Sequence, residues 1–295
     1  MRWALWLLAW VGLYALILPA YQAELGVELA EVPEGTDLER MAALPVYVIS
    51  GNELRWLRTK QVLASLHLLA QRIHPPKATY KLAEEGYKAH SYDKDVNLDD
   101  ATTQREFSLL ATWERLLQHI AGDPDMAESD FALIFEDDIA LHDDLSHAAA
   151  RRAILHGLDI ARDDGLLTLG ICVPDCQNVS AEWYEGIQYD KCASLCSHAI
   201  AVTKLRAVTL MDQLHEAIHI DFKKWEYDSY YHGHCIDQLL RLYAYAHGGT
   251  WTVASNLRSD QSPPWGDELG VFYQDRWRSK STINARRTLR SLSQL

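Results

Sequence analysis

The sequence predicts an α/β fold, a mostly parallel sheet flanked by helices. Three observations carry it. Short apolar runs alternate along the chain with longer stretches of helical periodicity. One run, Phe131 to Phe135, is apolar throughout, as a strand covered on both faces must be. That run leads without a spacer into Glu136-Asp137-Asp138, and strands of open α/β sheets end at the ligand crevice.

Pro45 to Ser50 reads as the first strand, broken by Gly51 and Asn52. Glu53 to Gln71 reads as an amphipathic helix with Leu54, Leu57, Gln61, Ala64 and Leu68 on its inner face. His74-Pro75-Pro76 stops it. A short strand is expected over Ala78 to Leu82, then loop. Thr102 or Thr103 is the expected cap of a helix to Ile120, because Glu106 stands three residues after Thr103. Phe107, Leu110, Trp113, Leu116 and Leu117 make its buried face. The acidic strand follows. Asp144 to Asp164 reads as helix, Leu166 to Gly170 as strand and Cys172 to Cys196 as loop. Ala199 to Val202 is a further strand, and Thr203 caps a helix to about His219. Cys235 to His247 is helical and stopped by Gly248-Gly249. Thr250 to Ala254 is the last expected strand. No internal repeat is visible.

Trp3 to Leu18 is apolar apart from Gly12 and Tyr14. Sixteen helical residues reach about 24 Å, slightly short of a bilayer core. The segment 1–21 reads as a signal-anchor or a cleaved signal peptide. The acidic stretch 22–44 reads as a stem, 45–275 as one domain and 276–295 as a basic tail. With 48% hydrophobic residues and 10 Trp, a sizeable core is available. A formal charge of −13 argues against a nucleic-acid partner, which needs a basic face.

Cys172-x-x-x-Cys176 and Cys192-x-x-x-Cys196 flank one loop. Zinc ligands usually have two residues between them, not three, so two disulfides in an oxidising compartment are expected, with the pairing open. Cys235 is then a lone thiol. Asn178-Val179-Ser180 is a glycosylation sequon in the same loop. His232-Gly233-His234 reads as a polar loop or as a further metal ligand.

Three adjacent carboxylates repel one another, and a divalent cation relieves that repulsion with oxygen ligands. Strand alternation puts Glu136 and Asp138 on one side and Asp137 on the other. Glu136 and Asp138 are therefore the expected metal ligands. Arg55, Arg58 and Lys60 sit where a helix begins, the end that disfavours cations. Either an anionic ligand lies near the end of the first strand or this is a solvated basic face.

Several of these pieces, in order, resemble glycosyltransferase family 25, which includes lipopolysaccharide and procollagen galactosyltransferases. Val46-Tyr47-Val48-Ile49-Ser50 with Arg55 is similar to the family's opening strand. Ser108 to Trp113 is similar to its Ser-His…Trp helix, and Ala132 to Asp138 to its Leu-Glu-Asp-Asp block. Leu167 to Gly170, Ser197 to Thr203 and Cys235-Ile236-Asp237 follow in the family's order. The resemblance covers about residues 45 to 260. It implies a GT-A, Rossmann-like fold and inverting transfer of a sugar, galactose favoured, from a nucleotide-sugar donor, UDP-linked favoured. The acceptor would be a glycan or glycoprotein. It implies Mn²⁺ or Mg²⁺ at Glu136 and Asp138, donor binding by Ser50, Arg55 and Arg58, and catalysis by Asp237 and Asp137. The N-terminal segment would meet the membrane, with the domain in the ER or Golgi lumen, or secreted after cleavage.

Two other classes compete. Leu109 stands where the family carries His, which suggests a carbohydrate-binding or chaperone-like relative without turnover. A metal-dependent phosphohydrolase could use the same three acids.

Overall fold

The Phe131 run is the third strand of a wide mixed sheet. The computed structural model describes residues 37–89, 96–142, 145–172, 176, 181–193, 195–218, 236–254 and 268–274. The strands are β1 (Val46–Ile49), β2 (Ala70–Ile73), β3 (Phe131–Glu136), β4 (Ile139–Leu141), β5 (Leu166–Cys172) and β6 (Glu182–Tyr184). They continue with β7 (Ile187–Cys192), β8 (Leu195–Thr203), β9 (Thr250–Val253), β10 (Glu268–Gly270) and β11 (Phe272–Gln274). The helices are α1 (Asp37–Ala43), α2 (Glu53–Ser65), α3 (Tyr80–Ala89), α4 (Ala101–Gly122), α5 (His147–Ile160), α6 (Lys204–Ile218) and α7 (Ile236–Ala246).

The sheet order is β2-β1-β3-β8-β5-β9-β7-β6, with β10 paired to the end of β5. β4 and β11 form a separate two-stranded ladder. In the large sheet β7, β8 and β10 run against the other strands, so the direction is mostly parallel, as expected. Neighbour pairing is more mixed than expected, because β8 lies antiparallel between β3 and β5.

The alternation of β1 and β3 divides the core. Val46, Val48, Leu133 and Phe135 face one layer with Leu63 of α2 and Ala150, Ala153 and Ile154 of α5. Tyr47, Ile49, Ala132 and Ile134 face the other, with Leu110, Trp113 and Leu117 of α4, Leu210 of α6 and Leu239 of α7. Burying each of these large side chains contributes about 1.5–3 kcal/mol. The expected inner face of α4 is buried throughout.

Several local expectations are corrected. α2 stops at Ser65, because Leu66 and Leu68 both donate to the Leu63 carbonyl and His67 turns with φ 62°. The chain then forms β2 beside β1, where helix was expected to Gln71. The inner face of α2 is also different: Leu54 and Leu57 are 57% and 51% exposed, while Thr59 and Leu63 are buried. Residues 80–89 are helix, not strand. Asp100, not a threonine, caps α4, accepting from the Thr102 and Thr103 amides. α5 is shorter than expected and starts at a Ser146 cap. The expected loop from Cys172 to Cys196 contains the hairpin β6–β7, closed by Glu185 and Gly186 at φ 49° and 80°. Two positive φ angles are what a tight hairpin turn needs. Thr250 to Val253 is not the last strand, since β10 and β11 follow.

The stem expectation is corrected from residue 37 onward. Residues 37–43 form α1, with Met41 fully buried and Arg40 paired to Asp159 of α5. Cys176 and Cys192 form a disulfide that ties the loop after β5 to the end of β7. Among the described residues no helix is long and apolar enough to cross a membrane. The apolar segment 1–21, the sequon, Cys235, His232, His234 and the basic tail lie outside the described residues.

Candidate active site

Parallel pairing of β1 and β3 puts Ile49 opposite Glu136, so the chain leaves both strands side by side. Ser50 follows one and Asp137 the other. The Ser50 hydroxyl lies 2.7 Å from Asp137 Oδ2 and donates to it. Asn52 caps α2 by accepting from the Arg55 amide at 3.1 Å, which sets the first turn of that helix over the strand ends. From there Arg55 Nη1 reaches Asp137 Oδ1 at 3.4 Å and Asp138 Oδ2 at 3.9 Å. One turn on, the buried Thr59 hydroxyl donates to the Asp137 carbonyl at 3.0 Å. Arg72 of β2 donates to the Ser50 carbonyl at 3.2 Å and pairs with Glu53.

These contacts answer the repulsion expected at Glu136-Asp137-Asp138. The chain supplies a cation of its own, Arg55, between two of the acids. The Asp137 and Asp138 side chains are only 13% and 12% exposed, while Arg55 is 38% exposed. Screening by water is therefore weaker at the acids than in an exposed pair.

The third acid is held differently. Gln274 of β11 donates from Nε2 to Glu136 Oε2 at 3.4 Å. β11 reaches this position because Gln274 pairs with Ile139, the first residue after the acidic turn.

The structure thus brings Ser50, Arg55, Glu136, Asp137 and Asp138 together. Arg58 is exposed on the next turn of α2. Asp237 is carried by another element, in the first turn of α7. α7 leads through Gly248 and Gly249 into β9, which pairs parallel to β5, so the helix ends at the amino end of the sheet. Burial raises the Tyr243 phenol above its usual range, with Arg206 opposing and Asp164 reinforcing. Asp237 lies about 9 Å further up the helix, toward the end where β3 and β5 finish. Asp190 on β7 is fully buried and accepts from the Lys191 amide at 2.7 Å.

Among the described residues no group of three or more His, Cys, Asp or Glu side chains is arranged to hold a metal ion. The Glu136/Asp138 pair offers two hard carboxylates. That suits a Mg²⁺-like ion, which takes one or two carboxylates and completes its shell with substrate phosphates. Arg55 stands close to one of the two and competes with a cation there. Sequence reasoning missed Thr59, Arg72 and Gln274. Thr59 is one turn from Arg55 and legible once α2 is placed, but no local pattern points to Gln274. The chain matches no protein-family model and no curated protein sequence.

Proposed function

We propose that the chain is a metal-dependent inverting glycosyltransferase of GT-A type. It would transfer a sugar, galactose favoured, from a UDP-linked or other nucleotide-sugar donor to a glycan or glycoprotein acceptor. The observation that supports this reading is the acidic turn at the carboxyl end of β3, bound to the end of the neighbouring parallel strand through Ser50 and Arg55. A crevice at that edge is where open α/β sheets take nucleotides.

Glu136 and Asp138 would hold Mn²⁺ or Mg²⁺, which supplies Lewis-acid neutralisation of the departing diphosphate. Arg55 has one side open to solvent and can swing from the acids to a donor phosphate, as can the exposed Arg58. Asp137 has both carboxylate oxygens engaged, by Ser50 and Arg55, so it positions the turn. Asp237 is the better candidate base. An anion in a first helical turn is stabilised by the helix dipole and ready to accept a proton. In the reaction the acceptor oxygen bonds to the anomeric carbon and the bond to the diphosphate oxygen breaks. The acceptor proton passes to Asp237, and the electron pair leaves with the diphosphate. The Cys176–Cys192 disulfide agrees with an oxidising lumen as the working compartment.

The reading without turnover, a carbohydrate-binding or chaperone-like relative, is favoured by one observation. Arg55 already neutralises the acids that a catalytic metal would otherwise satisfy. The deciding experiment is a screen of residues 37–295 against UDP- and GDP-sugars, with and without Mn²⁺. Mn²⁺-dependent release of nucleoside diphosphate, with label transferred to an acceptor, supports the transferase. Donor binding without turnover supports the silent relative, and phosphate release without sugar transfer supports a hydrolase.

A further inference from the structure

We propose that Gln274 is a positioning residue that fixes the Glu136 carboxylate, and that the strap formed by β10 and β11 serves to deliver it. The inference rests on the reading of Glu136 as a cation ligand.

The strap is seated at several independent points. Gly270 adopts φ 123° and lies so close to Leu169 that a Cβ there would stand 2.4 Å from the Leu169 carbonyl oxygen. Gly170 on β5 is equally constrained. A Cβ there would stand 2.3 Å from the Phe272 carbonyl oxygen and 2.4 Å from His198 Nε2. The buried His198 ring meets the Phe272 carbonyl at 3.2 Å. The Phe272 ring, fully buried, packs edge-on against Phe135 of β3 at 5.1 Å. The ladder with β4 then fixes the register, Phe272 to Leu141, Tyr273 to Ala140 and Gln274 to Ile139. Two glycines, an aromatic pair and a ladder therefore converge on one side chain, which is 5% exposed and ends 3.4 Å from Glu136.

The chemistry of that side chain suits the task. A carboxylate that must receive a cation needs orientation without a competing positive charge. An amide donor engages one oxygen and adds none, whereas the arginine beside Asp138 adds a full charge. A carboxylate in place of Gln274 would repel Glu136, and an apolar residue would remove the amide donor to it. Partners of this kind around metal ligands alter metal affinity about 10–100-fold when removed.

The test uses the full chain and Mn²⁺ as probe, titrated by loss of the free-ion EPR signal with and without UDP. Melting temperature is measured alongside in chelator. Glu136→Gln is the control for the underlying reading. Gln274→Met keeps the buried volume and removes the donor; Gln274→Ala removes both. The expected result is that Glu136→Gln abolishes Mn²⁺ binding and Gln274→Met weakens it about tenfold or more, with little change in melting temperature. If Glu136→Gln abolishes binding while Gln274→Met binds as wild type, the positioning role is overturned and the metal reading stands. If Glu136→Gln also binds as wild type, or wild type binds no Mn²⁺, the metal reading falls and this inference with it. A collapse of the metal-free melting temperature in both Gln274 variants makes the residue structural and overturns the proposal.

Discussion

The two ends of the sheet carry similar charges and use them differently. At the amino end Arg40 grips Asp159 through two hydrogen bonds of 2.9 and 3.1 Å, and Arg162 adds a third at 2.9 Å. Nearby, Asp123, Asp125 and Asp130 line an open groove of about 460 Å³ with Met126, Leu155 and Leu158. Two of those acids accept from their own turns, Asp123 from the Asp125 amide and Asp130 from the Ala127 amide. Arg40 and Asp159 are each 44% exposed. At the carboxyl end the acids are about 12–13% exposed, and residues from β1, α2, β3 and β11 converge on them. A well-formed groove thus lies away from the convergent acids. Low exposure and assembly from distant segments, rather than acid count or groove size, distinguish the carboxyl end.

The sharpest break of that contrast is Asp138→Asn. Transfer should fall by orders of magnitude, while the melting temperature in chelator should hardly move, since Arg55 keeps its closer partner, Asp137. Normal activity of Asp138→Asn in EDTA would sink the metal reading. Next in size is Asp237→Asn. A lost base lowers transfer about a hundredfold or more with donor binding intact. A lost helix cap costs about 1 kcal/mol and leaves kcat alone. Measuring kcat and melting temperature on the same protein separates them, and a destabilised but active variant moves the search for the base to Asp190, Asp221 or Asp228.

Arg55→Ala tests the neutralising role of that side chain. The pair is partly buried, so its loss should destabilise the metal-free protein by about 1–2 kcal/mol, between exposed and buried pairs. Added Mn²⁺ should restore the melting temperature. Destabilisation without restoration would assign Arg55 as the permanent counter-ion and favour the relative without turnover.

The smallest effect belongs to the amino end. Arg40→Ala should cost less than about 1 kcal/mol, as exposed pairs do. Burial acts to raise the Asp159 carboxyl, but hydrogen bonds from Arg162 and Arg40 outweigh it and hold the group below its ordinary range. A depressed acid stabilises the fold above the ordinary aspartate range, near pH 4. That contribution is lost as pH falls through the lowered value. Amide exchange in α1 should therefore speed up below about pH 4 before the rest of the sheet responds. Exchange in α1 that is flat from pH 6 to pH 3 would show that Met41 packing alone holds the helix.

What the sequence made legible was what neighbouring residues decide. Phe131 to Phe135 can be read as buried because five apolar residues in a row leave no polar face. The inner face of α4 can be read because Phe107, Leu110, Trp113 and Leu117 recur at helical spacing. α2 was misread because two apolar stripes compete on it, and only packing on β1 and β3 selects Thr59 and Leu63 over Leu54 and Leu57. β2 shows no alternation, since Ala70-Gln71-Arg72-Ile73 is half-buried at an edge. β10 and β11 are three residues each, too short for any periodicity. In the site, the acidic block was legible; Ser50 and Arg55 were expected at the donor, and their bonds to Asp137 emerge only once β1 and β3 lie side by side. Gln274 was not legible, because its role exists only across the β4–β11 ladder.

The distance along the chain between Glu136 and Gln274, 138 residues, sets a schedule. Synthesis adds about 5–20 residues per second. The acidic turn therefore leaves the ribosome roughly seven to twenty-eight seconds before the strand that carries Gln274. During that interval β4 presents a bare edge, and bare edges invite pairing with the wrong partner. Newly made protein thus passes through a window in which Glu136 has been made and its Gln274 donor has not. A frameshift after β9 would yield a chain that still carries Ser50, Arg55 and Thr59, the partners of Asp137, yet lacks the amide donor to Glu136.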